Sequence, residues 1–260
     1  MQPVALTIAG SDPSGGAGIQ ADLKTFHRFA VYGEAVITLV TVQNSVRCTR
    51  VEVMPADLVE QQIAAVLEDI PPDAAKTGAL GSAEVVRAVA RAAAGFRFPL
   101  VVDPVRIGKH GEALACEEAM RAMVSELLPL AALVTPNLPE AEALAGLRIH
   151  SLADARRAAQ RIARQGARAV LVKGGHAEGD PIDLLFDGVE FTEFAAVRIA
   201  TPHTHGTGCT YSAAIAAGLA RGAPLNEAVS AAQRFVHQAI LSNPGLGRGS
   251  GPVNHFTEIS

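Results

Sequence analysis

Short apolar runs alternate along the chain with stretches of helical periodicity, and this alternation limits the fold more than any other feature. Apolar runs that predict buried strands lie at residues 4–9, 35–42, 74–77, 99–102, 133–135 and 169–172. Helical spacing follows the first run, with apolar residues between positions 19 and 30 on one face. A further helix is predicted around residues 120–128, and the Gly/Pro-rich tail at 244–252 is expected to be loosely ordered. Two late runs flank Asp187-Gly188 and predict a β-hairpin. The chain is therefore predicted to form a mostly parallel α/β sheet with helices on both faces.

Length and composition exclude several classes of protein. The 260 residues contain no linker-like tract, so a single domain over residues 1–260 is predicted. The net charge of −4 and the lack of a basic block argue against nucleic-acid binding. No apolar run approaches the roughly 20 residues that a membrane span requires. Cys48, Cys116 and Cys209 lie far apart, which favours neither a disulfide framework nor a zinc site and indicates a reducing, cytoplasmic location.

Residues suited to ligand binding follow the predicted strands. They are Gly10, Gln43, Gly78, Asp103, Asn137 and Lys173. Because parallel sheets bind ligands outside the carboxyl ends of their strands, we expect these residues to share one face. Gln43 is suited to hydrogen-bond a heterocycle, Asp103 to contact magnesium or phosphate, and Lys173 to reach a phosphate. Taken singly, the same three residues are equally consistent with a turn, a helix cap and a solvated lysine.

The stretch 204–214 joins a glycine-punctuated turn to an alanine-rich helix. Gly206 and Gly208 allow backbone N–H groups to converge, and the following helix adds the positive end of its dipole. This arrangement predicts a site for phosphate or for a developing negative charge. Cys209 lies at the helix N-terminus, where the pKa of a thiol usually falls, so it is a candidate base or nucleophile. A simple tight turn and a packed cysteine are the alternatives.

Two further motifs bear on cofactor binding. Asn137 and Glu140 lie three residues apart at a predicted helix start, a spacing that suits reciprocal capping or the outer shell of a hydrated metal ion. Gly15, Gly16 and Gly18 follow the first predicted strand but do not form the G-x-G-x-x-G pattern. Nicotinamide binding is therefore not favoured.

Together these motifs resemble the hydroxymethylpyrimidine and phosphomethylpyrimidine kinases of thiamine biosynthesis, within the ribokinase-like superfamily. The matching segments are LTIAGSDPSGGAGIQADLK at 6–24, VQN at 42–44, KTG at 76–78, VDPV at 102–105, TPN at 135–137, KGGH at 173–176 and HGTGCT at 205–210. The ending at 251–256 is similar as well. Because the segments span nearly the whole chain in family order, the resemblance is specific. It implies a ribokinase-like three-layer α/β/α fold.

The resemblance also implies an activity and a site. The activity is ATP-dependent phosphorylation of 4-amino-5-hydroxymethyl-2-methylpyrimidine, followed by phosphorylation of its monophosphate to the diphosphate. Residues implied to surround the pyrimidine ring are Gln43, Gly10, Asp22, Ala79 and Val105. Residues implied to act on the phosphoryl group and the acceptor alcohol are Gly206, Thr207, Gly208, Cys209 and Lys173, with Cys209 taking the alcohol proton.

The implied cofactors are ATP and Mg²⁺. Contacts to ATP are implied for Lys173, Asn137 and Thr207. Contacts to magnesium, mostly through water, are implied for Asp103, Asn137 and Glu140. The superfamily further implies a homodimer.

One residue and two short segments depart from the family pattern. Ala79 stands where the family often has Met, which implies a roomier pyrimidine pocket. Residues 106–109 read Arg-Ile-Gly-Lys, where Met and later an Ala-Lys pair are usual, so we expect Arg106 near the phosphate of the second substrate or at the rim. Pro202-His203 replaces the common Lys-Asn.

Three rival functions have to be weighed. A pyridoxal or pyridoxine kinase of the same superfamily would share most of these motifs. A non-catalytic pyrimidine sensor is disfavoured by the presence of Cys209, Lys173 and Asp103. A cysteine hydrolase built on Cys209 and His205 is disfavoured because no third group is apparent that would orient the histidine.

Overall fold

The computed structural model describes residues 2–176 and 179–259. The strands are β1 (Val4–Ser11), β2 (Tyr32–Gln43), β3 (Cys48–Val53), β4 (Ala74–Thr77), β5 (Leu100–Val102), β6 (Leu133–Val134), β7 (Val170–Val172), β8 (Ile182–Phe186) and β9 (Phe191–Ala195). The helices are α1 (Gly18–Arg28), α2 (Ala56–Asp69), α3 (Ala83–Ala93), α4 (Glu117–Ala122), α5 (Leu138–Ala145), α6 (Leu152–Ala163), α7 (Thr207–Ala220) and α8 (Leu225–Leu241).

Within the described residues these strands form one sheet in the order β3-β2-β1-β4-β5-β6-β7-β8-β9. The strands from β2 to β7 in this order pair in parallel. At one edge β3 pairs antiparallel with β2, and at the other edge β8 and β9 extend the sheet antiparallel from β7. The predicted mostly parallel sheet with a late hairpin is confirmed. The parallel strands direct their carboxyl ends, and the residues that follow them, to one side.

Helices cover both faces of the sheet. One face carries the fully buried Leu6 and Ile8 and packs against the layer from α2 to α6. The other face carries Ala5 and packs against α1, α7 and α8. Alternate residues of β1 thus enter opposite cores, as expected for a strand that is covered on both sides. This arrangement confirms the predicted three layers.

The sequence interpretation missed one strand and simplified one helix. β3 was not predicted because its sequence, CTRVEV, is exposed at most positions and has no continuous apolar run. The helix predicted near residues 120–128 is instead α4, a π-helical turn at Met123–Leu127 and a 3-10 turn at Leu128–Leu130. Pro129 lies in the last of these turns and cannot donate a backbone hydrogen bond to a continuing helix.

Two irregular segments close over the carboxyl ends of the strands. Residues 106–115, called the lid below, form a small loop in which Ile107 pairs with Ala113. The tail was expected to be loosely ordered from position 244 to 252, yet its end is bound, because His205 N donates to Gly251 O and His205 pairs with Pro252. No helix in the described part of the chain is long and apolar enough to cross a membrane.

Candidate active site

The turn before α7 has a conformation that only glycine adopts easily. Gly206 is the N-cap of α7 and has a φ of 80°, and a Cβ at this position would overlap the carbonyl oxygen of Gly16. The first intrahelical bond runs from Thr210 N to Gly206 O at 2.8 Å. The amides of Gly208 and Cys209 precede that bond, so the helix itself does not use them. The predicted arrangement of backbone donors at a helix N-terminus is therefore present.

An ion pair faces this first turn of α7. Lys173 Nζ lies 2.9 Å from Asp103 Oδ1, and the two side chains are 12% and 2% exposed. A Cβ on Gly208 would lie 3.5 Å from Lys173 Nζ and 3.8 Å from Asp103 Oδ2. The first turn of α7 therefore approaches both charged groups closely at Gly208. Two of the predicted strand-end residues, Asp103 and Lys173, thus meet the predicted loop here.

Asp103 is held by two hydroxyl groups that sequence reasoning did not identify. Thr135 Oγ1 donates to Asp103 Oδ1 and Ser212 Oγ donates to Asp103 Oδ2, each at 3.2 Å. Thr135 lies directly after β6 and Ser212 lies in α7, and both are buried. These bonds orient the carboxylate toward Lys173.

Asn137 and Glu140 form the reciprocal cap that their spacing allows. Asn137 Oδ1 accepts from Glu140 N and Glu140 Oε2 accepts from Asn137 N, both at 2.9 Å. Burial raises the pKa of Glu140 to about 7 and Asp103 adds to this effect, whereas the charge of Lys173 and the backbone N–H groups of Asn137 and Arg106 oppose it. Glu140 therefore connects the start of the lid to the Lys173 end of the site.

The magnesium contacts predicted for Asp103, Asn137 and Glu140 do not form a ready shell of direct ligands. Within residues 2–176 and 179–259, no group of three His, Cys, Asp or Glu side chains is placed to hold a metal ion. The side chain of Asn137 is used in capping, while Asp103 and Glu140 are buried carboxylates. Such a donor set fits a hydrated cation held through water and bound phosphate.

Asp22 lies beneath the site in a fully buried ion pair. Its carboxylate is 3.1 Å from Lys76 Nζ and accepts a hydrogen bond from Thr7 Oγ1 at 2.6 Å. Both charged side chains are 0% exposed, so the predicted contact between Asp22 and the substrate ring has no surface access in this structure. Burial opposes the charge on Lys76, but the Asp22 carboxylate outweighs it and raises the pKa of the lysine.

The environment of Cys209 contradicts one expectation. Burial and the nearby carboxylates of Asp22 and Asp103 raise the pKa of its thiol to about 11, although Lys76 and the backbone N–H of Gly18 act in the opposite direction. The prediction of a lowered pKa is wrong because desolvation of the thiolate outweighs the helix terminus. Cys209 is therefore a thiol at neutral pH.

The predicted ring-binding residues lie around the end of β2. Gln43, the last residue of β2, has its side-chain Nε2 3.2 Å from His205 Nε2. Gly10 packs so closely on Leu39 that a Cβ would overlap it. Ala79 and Val105 follow the neighbouring strands β4 and β5 and are partly exposed. The structure thus brings Gln43 to the turn that carries Cys209, as the sequence interpretation requires.

Comparisons with known proteins agree with this geometry. A protein-family model described as phosphomethylpyrimidine kinase matches residues 12–254. A hydroxymethylpyrimidine/phosphomethylpyrimidine kinase of Rhizobium meliloti (strain 1021) is 50% identical, and the alignment covers 98% of each chain. This chain belongs to the phosphomethylpyrimidine kinase family.

Solved structures place the same fold in two kinds of kinase. The phosphomethylpyrimidine kinase from Clostridium difficile 630 is 41% identical, with a TM-score of 0.82 over 92% of this chain and 99% of that chain. An ADP complex of Bacillus subtilis pyridoxal kinase is 37% identical, with a TM-score of 0.90 over 98% of each chain. The family assignment thus carries the ribokinase-like fold with it.

The departures from the pattern of the phosphomethylpyrimidine kinase family lie mainly in and beside the lid. Arg106 is exposed and lines an outer groove with Glu117 and Leu144, so its side chain lies at the rim. Lys109 Nζ donates to Thr204 Oγ1 at 2.8 Å and so connects the lid to the loop before α7. His203 Nδ1 accepts from Gly251 N at 3.1 Å and holds the tail.

Sequence reasoning assigned no role to Lys76, Ser212 or Thr135, and the one role it considered for His205 was that of a hydrolase residue. Each of these side chains meets a partner that is distant in the sequence; Lys76 and Asp22, for example, are 54 positions apart. One available signal was the lysine within the short apolar strand β4, because a buried lysine requires a charged partner.

Proposed function

We propose that this kinase phosphorylates the hydroxymethyl group of 4-amino-5-hydroxymethyl-2-methylpyrimidine and then converts the monophosphate to the diphosphate, with ATP as the donor. The observation that carries the proposal is the first turn of α7, where the helix does not use the amides of Gly208 and Cys209 and where the buried Lys173–Asp103 pair lies close by. The family assignment supplies the pyrimidine substrate. The amide side chain of Gln43 supplies a group suited to an aminopyrimidine edge.

The residues of this site have separate proposed roles in phosphoryl transfer. The amides of Gly208 and Cys209 are positioned to bind the oxygens of a transferring phosphoryl group, as backbone donors do at other helix N-termini. Lys173 adds a positive charge beside the same turn, since its Nζ would lie 3.5 Å from a Cβ on Gly208. Thr207 Oγ1 is bonded to Thr204 O, so Thr207 shapes the turn, and its proposed contact with ATP is through the backbone. Alignment and charge neutralisation are what this reaction chiefly needs.

The residues present fit ATP and a hydrated Mg²⁺. When bound, ATP supplies the phosphoryl group and Mg²⁺ neutralises charge on its phosphates. Asn137 and Lys173 pair across adjacent strand ends, and this supports the proposal that both contact the phosphates of the nucleotide. Asp103 and Glu140 would hold the cation through water, and a cation there would lower the pKa of Glu140.

Cys209 is assigned an orienting role. With a pKa of about 11, only about one thiol in ten thousand is ionised at pH 7, so few molecules hold a base ready to take the alcohol proton. Transfer through a loose transition state needs little proton removal before the phosphoryl group moves. We therefore propose that the sulfur of Cys209 aligns the acceptor hydroxyl and that the proton leaves late.

A second candidate is pyridoxal or pyridoxine phosphorylation. The observation that favours it is the similarity to the pyridoxal kinase structure, which extends over the whole chain. Ala79 also leaves more room beside the ring than a longer side chain would. We regard this as a side activity, since the family match and the relative with the higher identity are both pyrimidine kinases.

We also propose that the protein is a cytoplasmic homodimer. The β2–β3 edge supports the dimer, since it exposes Val40, Val42 and Val53 at 38%, 56% and 36%. Free cysteines at 48, 116 and 209 fit a reducing compartment. Sedimentation analysis of the purified protein would test the dimer, and a monomer at micromolar concentration would contradict it.

The decisive experiment is product analysis. The protein is incubated with the pyrimidine alcohol, ATP and Mg²⁺, and mass spectrometry is used to identify the mono- and diphosphate. Pyridoxine and pyridoxal are tested at the same concentration, with Lys173→Met as the control for a contaminating kinase. We expect both pyrimidine products and faster turnover of the pyrimidine. Equal or better turnover of pyridoxine would favour the second candidate, and the absence of any product would contradict both.

A further inference from the structure

Three side chains from separate segments meet at the ring end of the site. Asp12 follows β1, Gln43 ends β2, and His205 precedes α7. His205 Nε2 lies 2.7 Å from Asp12 Oδ2 and 3.2 Å from Gln43 Nε2. Asp12 and His205 are 3% and 4% exposed. A buried imidazole therefore separates a carboxylate from the residue proposed to read the substrate ring.

The Asp12 carboxylate is ionised. It accepts hydrogen bonds from Ser14 N and Ser14 Oγ and from the backbone N–H groups of Gly16 and Ala17. These bonds make Asp12 an acceptor only, so the ring nitrogen of His205 that faces it has to carry a proton. This holds whether the imidazole is neutral or charged, since the second ring nitrogen is not involved.

The proton on His205 Nε2 restricts how the Gln43 amide can lie. Because this N–H points mainly at Asp12, the nitrogen has no lone pair to accept from an amide N–H at 3.2 Å, whereas a carbonyl oxygen in the same place can share the donor as the longer arm of a bifurcated hydrogen bond. The two ends of an amide side chain have nearly the same shape and are distinguished by their partners. The favoured arrangement places Oε1 of Gln43 against His205 and leaves the NH2 group as a donor for the substrate.

We propose that His205, held by Asp12, is a positioning residue that fixes the orientation of the Gln43 amide and thereby selects the substrate ring. The inference rests on the proposed function. With the amide fixed, its NH2 group donates to a ring nitrogen, and the second lone pair of its oxygen accepts from an adjacent exocyclic amino group. A 4-aminopyrimidine presents this acceptor–donor edge, and a ring without the amino group does not. Without His205 the amide can rotate, and this discrimination falls.

The test is a cycle of two enzymes and two substrates. The native enzyme and His205→Phe are assayed with 4-amino-5-hydroxymethyl-2-methylpyrimidine and with the same alcohol lacking the 4-amino group. For the native enzyme we expect kcat/KM to be about tenfold lower for the substrate without the amino group, as for the loss of one well-placed hydrogen bond. For His205→Phe we expect this ratio to fall to about twofold, mainly through KM for the amino substrate.

His205→Gln provides the matched control, because its amide N–H can occupy about the position of the imidazole Nε2 and restore the donor. We expect it to recover most of the discrimination, and thermal unfolding of both variants shows whether they are folded. If His205→Phe weakens both substrates by the same factor, or if His205→Gln behaves like it, the positioning role is wrong. If His205→Phe does not fold, the ratio in His205→Gln decides. Failure of the native enzyme to phosphorylate either alcohol would instead contradict the proposed function.

Discussion

The two ends of the candidate site are built in different ways. At the phosphate end, the backbone of the α7 turn and the buried Lys173–Asp103 pair define the geometry. At the ring end, the side chains of Gln43 and His205 define it, and the lid adds contacts at exposed positions. Lys109 reaches Thr204 there, and His110 Nε2 lies 3.1 Å from the carbonyl oxygen of Asn44.

This difference separates the groups proposed to act in phosphoryl transfer from the groups proposed to select the substrate ring. The phosphoryl group that a kinase transfers is the same whichever alcohol accepts it, so a binding site made of amides and fixed charges suits all acceptors. The ring differs between pyrimidine and pyridoxal substrates, and we propose that it is read by the Gln43 amide, whose orientation depends on His205. A side-chain contact of this kind can change without altering the fold. The comparison predicts that changes at the phosphate end abolish turnover, whereas changes at the ring end alter selectivity.

The largest effect is expected for Gly206→Ala. The new Cβ would overlap the carbonyl oxygen of Gly16 and would force a non-glycine residue to a φ of 80°. The turn has to move, and the amides that follow it lose their alignment. Loss of a preorganised donor of this kind typically costs roughly 3–4 kcal/mol of transition-state stabilisation. We expect kcat to fall at least about a hundredfold, as measured by a coupled ATPase assay.

Gly222→Ala separates backbone strain from the site itself. Gly222 follows the other end of α7 at a φ of 81°, but a Cβ there meets no atom within 4 Å. We expect this variant to lose about 1 kcal/mol of unfolding free energy and to keep its kcat. Equal losses of kcat in the two glycine variants would show that the α7 turn has no special role.

The next-largest effect is expected for changes to the buried Lys76–Asp22 pair, which lies beneath both ends of the site. Lys76→Met leaves the Asp22 carboxylate unpaired at 0% exposure, and such changes typically cost about 3–5 kcal/mol. Adding Asp22→Asn removes the stranded charge and keeps a group that can bond Thr7. We expect the double variant to regain most of the unfolding free energy, measured by urea titration.

The kcat of the double variant then distinguishes two possible roles of the Lys76–Asp22 pair. If kcat returns with stability, the pair is a scaffold shared by both ends of the site. If stability returns while kcat remains low, the positive charge of Lys76 acts on Cys209, whose thiol pKa it lowers. Arg91→Met is the control, because the Arg91–Glu60 pair is 62% and 40% exposed and should contribute less than about 1 kcal/mol.

The sequence predicted well those features that depend on local patterns. The capping of α5 by Asn137 follows from a spacing of three residues, and the turn at Asp187-Gly188 follows from two adjacent residues. The gathering of Asp103 and Lys173 at one side follows from the rule that parallel strands end together. These predictions required no knowledge of which strands are neighbours.

The features that sequence reasoning missed depend on contacts between distant segments. Asp12 and His205 are 193 positions apart, and nothing near either residue indicates the other. The pKa of Cys209 depends on how deeply the thiol is buried, which the helix N-terminus alone did not reveal. β3 is an exposed edge strand that is stabilised by pairing with β2 rather than by an apolar face. Its composition therefore resembles that of a loop.

The smallest effect concerns the ring end and appears at acid pH. Burial alone would raise the pKa of Asp12, but hydrogen bonds from His205 and Ser14 outweigh it and lower the pKa from 3.8 to about 2. Because the folded-state pKa is depressed, the carboxylate stabilises the fold above about pH 4, and this contribution is lost as the pH falls through about 2. The difference corresponds to about 2 kcal/mol.

Asp12→Asn tests this contribution directly. The variant should lose about 2 kcal/mol of unfolding free energy at pH 7, measured by urea titration, and the gap to the native protein should narrow between pH 4 and pH 2. The control is Asp57→Asn, at an exposed position in the first turn of α2. Its unfolding free energy should differ little from that of the native protein over the same pH range. A gap for Asp12→Asn that stays constant down to pH 2 would mean that the carboxylate is not held by His205. The amide of Gln43 would then be oriented by some other group, and the ring end would not depend on this imidazole.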